Sequence, residues 1–344
     1  HHKEMMPQFT DMRNAPLRLE NLARGILLFS IGLFKKVVIA DTFAIWADAG
    51  FNAPEPLTFF AAWQASLSYT FQLYYDFSGY TDMAIGAALM FNIHLPLNFN
   101  SPYKATNIQD FWRRWHMTLS RWLRDYLYIP LGGNRFGEPR RQVNIMLTMI
   151  LGGLWHGANW TFLCWGLAHG LFLVINHSWQ ILRERSSVAP RVGALPGSIA
   201  SHALTLICVV LAWILFRAES IGAAGIVFQQ LIDWNGLSFA GPYEKAILST
   251  DLYRIARIIT PSASAMGVAT VALLAGWFIC LRLPNTGQLF SQQLDTLQAR
   301  PMPQLLPGRL VWRADWRWAL LTVLLLLISF LFLSEPTEFL YFQF

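Results

Sequence analysis

Between residues 142 and 182 the chain runs 41 residues without an Asp, Glu, Lys or Arg. A helix rises 1.5 Å per residue, so about 20 apolar residues cross the hydrocarbon of a bilayer. The run is long enough for two crossings. Further charge-free windows cover residues 56–75, 83–103, 192–216 and 258–281. Shorter ones cover 318–334 and 25–34, the latter running into Lys35-Lys36. By this ruler the sequence predicts roughly seven to nine membrane helices. Composition agrees: 54% of residues are hydrophobic and 13% charged, against about 25% charged in soluble chains. Such numbers exclude a disordered chain and a disulfide scaffold. An all-α polytopic membrane protein follows, read as a single membrane-embedded domain over residues 1–344.

Lys and Arg number 26 against 20 Asp and Glu, and the pI is about 9.4. The cations cluster at Lys35-Lys36, Arg113-Arg114, Arg121 and Arg124, Arg140-Arg141, Arg183 and Arg185, and Arg313 and Arg317. That clustering suits loops held beside anionic lipid on the cytoplasmic side better than a nucleic-acid surface. Cys164, Cys208 and Cys280 each sit in an apolar run and read as small buried hydrophobes, so no metal site is expected. The connections at residues 130–139, 190–196 and 301–307 are rich in Gly and Pro and too short for a soluble domain. No internal repeat supports an inverted-repeat transporter. Gly-x-Ser-x-Gly, His-Glu-x-x-His and Gly-x-Gly-x-x-Gly are absent, which leaves serine hydrolases, zincins and dinucleotide enzymes without support.

Polar groups inside a hydrocarbon-length window are costly and by default mark function. His156 lies about 14 residues into the long window, roughly 21 Å along a helix, between Gly152-Gly153 and Gly157. The alternative is a histidine hydrogen-bonded across helices for packing. His169 and His177 follow, His177 near a helix end. Residues 111–127, wound as one helix, put Arg114, Arg121 and Asp125 on one face and Trp112, His116, Leu119, Leu123 and Leu127 on the other. This is the pattern of an interfacial amphipathic helix. His116 stands where Leu or Phe is expected, as a satisfied core histidine or a functional one. Asp76 reads as a helix N-cap, and Asp82 stays open. Leu131 to Arg135 reads as a tight turn in which Gly132 and Gly133 supply positive φ.

Four segments carry a resemblance: Asp76-Phe77-Ser78-Gly79-Tyr80-Thr81-Asp82, Phe111-Trp112-Arg113-Arg114-Trp115-His116-Met117-Thr118-Leu119-Ser120, Tyr128-Ile129-Pro130-Leu131-Gly132-Gly133-Asn134-Arg135 and Leu154-Trp155-His156-Gly157-Ala158-Asn159-Trp160. Together they resemble the membrane-bound O-acyltransferases, in the bacterial branch that O-acetylates exported polysaccharides such as alginate. The ending Phe339-Leu340-Tyr341-Phe342-Gln343-Phe344 is similar too. The resemblance implies a ring of transmembrane and re-entrant or interfacial helices around a central tunnel, in the bacterial inner membrane. It also implies that further N-terminal helices of the family are missing here. His156 maps onto the catalytic histidine and His116 onto a second functional one.

The implied reaction is acyl transfer from a cytoplasmic thioester, acetyl-CoA the expected donor, with no bound cofactor. A neutral imidazole takes a proton from an attacking hydroxyl near pH 7. His156 is assigned as that base, and His116 as the group that orients the thioester or steadies charge on its carbonyl oxygen. Asn159 or Asn144 are candidate oxyanion donors, and Trp155, Trp112, Arg113 and Arg114 candidate substrate-binding residues. For the arginines, lipid headgroups explain the charge equally well. Expected partners are the bilayer, a periplasmic acetyl-relay protein and polysaccharide synthesis and export machinery, with no nucleic acid. The alternatives are D-alanyl or acetyl transfer to teichoic acid, peptidoglycan or cellulose, and a proton-coupled transporter.

Overall fold

The computed structural model describes residues 2–185, 195–234, 236, 241–290 and 311–333, and they contain no β-strand. In chain order the helices are α1 (His2–Thr10), α2 (Leu19–Phe34), α3 (Asp41–Phe51), α4 (Phe59–Met90), α5 (Ile108–Trp112), α6 (Met117–Leu123), α7 (Gly137–His156) and α8 (Trp160–Arg185). Then come α9 (Leu195–Arg217), α10 (Ile221–Gln230), α11 (Gly241–Ser249), α12 (Asp251–Ile259), α13 (Ala265–Arg282), α14 (Thr286–Leu289) and α15 (Trp316–Leu331). Within the described residues, residues 199–217 of α9 and the whole of α13 combine the length and hydropathy of a crossing, and α15 is apolar but shorter. The helices α7 and α8 have 20 and 26 residues, but their Trp, His, Asn and Gly residues dilute the hydropathy.

Several expectations are corrected. The windows 56–75 and 83–103 are not two helices. One 32-residue helix, α4, runs through both Asp76 and Asp82, and residues 93–99 are non-helical. Asp76 therefore caps nothing. It lies inside the helix and pairs with Lys36 at 2.8 Å. Residues 111–127 are not one amphipathic helix either: α5 ends at Trp112, α6 starts at Met117, and residues 124–128 form a π-helical turn. The break is at His116, whose backbone is left-handed. The predicted turn at 131–135 is present, with Gly132 at φ 106° and Gly133 at φ 56°. The connection at 130–139 is shorter than read, because Gly137 already opens α7. The segments 301–307 and 339–344, and residues 190–194, lie outside the described residues.

The chain divides into two compact units. The first comprises His1–Ala44, Phe71–Asn100 and Arg282–Gln343. Here α2 and α4 touch backbone to backbone at two levels. A Cβ on Gly25 would meet the Gly86 carbonyl at 2.6 Å, and one on Gly32 the Gly79 carbonyl at 2.6 Å. Only glycine allows that approach. Helix α2 runs on into a π-helical turn at Lys35–Ala40, which carries two lysines toward the acids of α4. Lys35 Nζ lies 2.6 Å from Asp82, which also accepts from Thr286 Oγ1 at 2.9 Å. Lys36 Nζ reaches Asp76 and Asp41, each at 2.8 Å. Opposite charges taken out of water must be paired in this way. Helix α15 packs on α2, and the Arg24 guanidinium lies 4.5 Å over the Trp312 ring.

The second unit comprises Ile45–Thr70 and Ser101–Leu281. Its centre is an antiparallel hairpin of α7 and α8, turned at residues 157–159. Glycines again bring the backbones together: a Cβ on Gly153 would strike the Phe162 carbonyl, and one on Gly166 the Met149 carbonyl. At the open end His177 meets Glu138 at 3.0 Å and Gln142 meets Ser178 at 3.3 Å. The segment α5 lies on α8, and α9 packs on α8 beside it.

Candidate active site

The helix α7 stops at His156, so this ring sits at the mouth of the hairpin turn rather than midway along a long span. A break beside the flanking glycines is one of the two arrangements they permit, and it falls at Gly157. The next helix begins four residues later and is capped by Asn159. Its Oδ1 accepts from the Thr161 N–H at 3.1 Å, and its Nδ2 donates to the Glu219 carbonyl at 3.1 Å. His156 is half-buried among aromatic rings: Phe216 and Trp155 at 5.0 Å, Trp165 at 5.4 Å and Phe162 at 6.2 Å between centroids. Trp165 and Phe216 meet it edge-on, at 90° and 75°.

His116 is 7% exposed and adopts φ 41°, ψ 55°. A side-chain-bearing residue held left-handed costs about 1–2 kcal/mol, and such strain collects at functional sites. The conformation ends α5, starts α6 with a Ser120 N–H to His116 carbonyl bond of 2.9 Å, and turns the imidazole inward. The two rings come within electrostatic reach of each other. They are forty positions apart in sequence, and the α5–α6 corner and the α7–α8 turn bring them together.

Beside them lies a second aromatic cluster, of which the sequence reading assigned only Trp112. His169, on α8, is fully buried. Its ring lies parallel to Phe111 at 6.2 Å and edge-on to Trp112 at 5.2 Å and Trp165 at 4.9 Å. Trp213 of α9 stacks on Trp165 at 6.0 Å and lies 4.8 Å from Trp115. The Trp112 indole N–H donates to His169 Nδ1 at 3.3 Å. A legible signal existed for part of this: Trp165 and His169 stand at i and i+4, on one face of a helix. Nothing local in sequence announces Trp213 or Phe216.

Other expected residues fall less centrally. Trp155 is exposed but in ring contact with His156. Asn144 is fully buried and donates to the Gly133 carbonyl at 2.9 Å. It stands twelve residues before His156 on the same helix, or about 18 Å away, so α7 does not bring the two together. Arg113 is exposed, and Arg114 is held by Asp110 at 2.9 Å. What converges is a pair of imidazoles, of which His156 is walled by aromatic rings. In such surroundings a neutral imidazole is able to take up a proton from a hydroxyl brought against it.

Residues 1–198 match the model of the family MBOAT, membrane-bound O-acyltransferase. The chain is 43% identical over 352 residues to the peptidoglycan O-acetyltransferase of Helicobacter pylori, which covers 100% of this chain and 61% of that protein. It is 37% identical over 375 residues to the probable alginate O-acetylase AlgI of Pseudomonas syringae pv. tomato, covering 99% of this chain and 67% of that one. The teichoic acid D-alanyltransferase of Streptococcus thermophilus is 28% identical over 204 residues, covering 54% of this chain. The chain thus spans 61% of the length of the first of these relatives and 67% of the second.

Proposed function

The chain belongs to the membrane-bound O-acyltransferase family, and on that premise we propose that it is the acyl-transfer part of an enzyme that O-acetylates a cell-envelope polysaccharide. The observation that carries the reading is the approach of buried His116 to His156, whose own ring is walled by Trp165 and Phe216. Two histidines forty positions apart in sequence and brought near each other in apolar surroundings mark function by default. The donor is a thioester, acetyl-CoA in its simplest form, reaching a tunnel from the cytoplasmic side of the bacterial inner membrane. The acceptor is a sugar hydroxyl, or a serine on an exported relay protein that passes the acetyl group on.

In the proposed step the hydroxyl oxygen bonds to the thioester carbon while His156 takes the hydroxyl proton. The carbon–sulfur bond then breaks, and the departing sulfur receives that proton. Base assistance of this kind contributes typically about 10²–10⁴-fold. His116 orients the thioester or holds charge on its carbonyl oxygen. The relatives' names favour an alginate-like polymer or peptidoglycan as acceptor. The likeness to a D-alanyltransferase keeps D-alanyl transfer to teichoic acid as the second reading.

His156→Ala tests the base. The expected result is a protein that inserts and folds as wild type while acetyl incorporation into polymer is lost. Wild-type incorporation in that variant would refute the assignment. Supplying labelled acetyl-CoA against D-alanyl donors, and identifying the modified polymer, separates the two readings.

A further inference from the structure

We propose that His169 is a hydrogen-bond donor of the acyl-transfer site, its Nε2–H serving the carbonyl oxygen of the acyl group on which His156 acts. This deepens the acyltransferase reading above and rests on it.

The argument begins with the partner of the other ring nitrogen. An indole N–H can only donate, so Nδ1, which receives the Trp112 N–H at 3.3 Å, must carry the lone pair. The proton of the neutral ring is thereby placed on Nε2. That nitrogen is buried and has no hydrogen-bond partner among the described residues. A buried N–H without an acceptor is expensive and needs an explanation. The same is true of the indole N–H groups of Trp165 and Trp213 in the same cluster. Three N–H groups on rings in mutual contact thus lack an acceptor among the described residues, and an acceptor oxygen is what each would take. A thioester carbonyl is such an oxygen.

Position adds a second argument. Trp165 is the ring that touches both histidines, His156 at 5.4 Å and His169 at 4.9 Å. One indole separates the proposed base from the proposed donor. As the hydroxyl oxygen bonds to the carbonyl carbon, the π electrons move onto the carbonyl oxygen, where a fixed donor stabilises them. Collapse then restores the carbonyl and expels the sulfur, which takes the proton held by His156. A neutral imidazole is a competent electrophile for this role. The Trp112 bond keeps it in the one tautomer that can donate.

The test uses the full chain in liposomes, with acetyl-CoA as donor and alginate oligosaccharides as acceptor. Three variants are compared: His169→Phe, which keeps a ring but no nitrogen, His169→Gln, whose amide can accept from Trp112 and still donate, and Trp112→Phe, which releases the tautomer lock. His169→Phe is expected to lower kcat about 10²–10³-fold, the loss typical of removing one such donor, with KM for acetyl-CoA nearly unchanged. His169→Gln should recover at least about tenfold of that loss, and Trp112→Phe should fall between them. Wild-type kcat in His169→Phe overturns the proposal, and so does equal impairment of His169→Phe and His169→Gln, which marks a purely structural role. If His169→Phe does not fold, Trp112→Phe decides, and a wild-type kcat there overturns it. Absence of transfer by the wild-type chain to alginate, to peptidoglycan and to a relay serine alike instead refutes the acyltransferase reading itself, and this proposal with it.

Discussion

His116 is held at φ 41° and ψ 55° by the corner between two short helices, and the strain has a measurable signature. His116→Gly and His116→Ala both remove the imidazole, but only glycine adopts that backbone freely. The glycine variant should unfold later in detergent, by about 1 kcal/mol, with both variants equally impaired in acyl transfer. Equal melting would mean the corner carries no strain. The buried ion pair of Lys35 and Asp82, with Asp82 4% exposed, gives a second prediction. Asp82→Ala strands an ammonium and should cost about 3–5 kcal/mol, whereas Lys35→Met with Asp82→Leu should recover most of the loss. At this scale the sequence was half legible. His156 and His116 stood out as polar groups in apolar surroundings. The partners of Asp76 and His169 did not, because Lys36 and Trp112 lie 40 and 57 positions away. Local chemistry favoured a cap for Asp76 only because its long-range partner was invisible.

Among the elements, the α7–α8 hairpin depends on glycines that face backbone. A Cβ on Gly153 strikes the Phe162 carbonyl, whereas one on Gly157 meets only the Phe162 side chain, at 2.7 Å. Gly153→Ala should therefore cost about 1–3 kcal/mol by overpacking. Gly157→Ala should be gentler on melting, yet lower activity, because the ring it displaces flanks His156. Helix α12 supports a different expectation. Leu252, Ile255, Ala256 and Ile259 line one face, Tyr253, Arg254 and Arg257 the other, and none of its residues is buried. It ends shortly before α13, which has the length and hydropathy of a crossing. A helix of this kind lies in the headgroup boundary. Nitroxides placed at 255 and 259 should be relaxed by oxygen, and those at 254 and 257 by aqueous nickel; a pattern without that alternation would sink the idea. Charge-free windows located α7, α8, α9 and α13 well. They split α4 wrongly, because counting charges cannot see that two aspartates are neutralised from another helix.

For the molecule as a whole, the family and the all-helical architecture were legible in ordered motifs and composition, and the division into two compact units was not, since packing between segments far apart in sequence leaves no local mark. The proposed tunnel makes a claim at this scale. Vesicles carrying the chain, with acetyl-CoA on one side only and polymer or relay serine enclosed on the other, should yield acetylated product in the enclosed compartment. Product confined to the donor's own side would rule out vectorial transfer. The glycine contacts of the first unit raise a further issue of assembly. Gly25 and Gly32, like Gly79 and Gly86, are seven residues apart, so sliding α2 by two turns would still oppose a glycine to a glycine. Smooth surfaces alone would therefore tolerate a misthreaded docking. The Lys35–Asp82 and Lys36–Asp76 pairs do not, because any slippage would leave cations facing hydrocarbon. They work as a key cut for one notch, so exchanging the charges, Lys35→Asp with Asp82→Lys, should preserve the docking that either exchange alone would forbid.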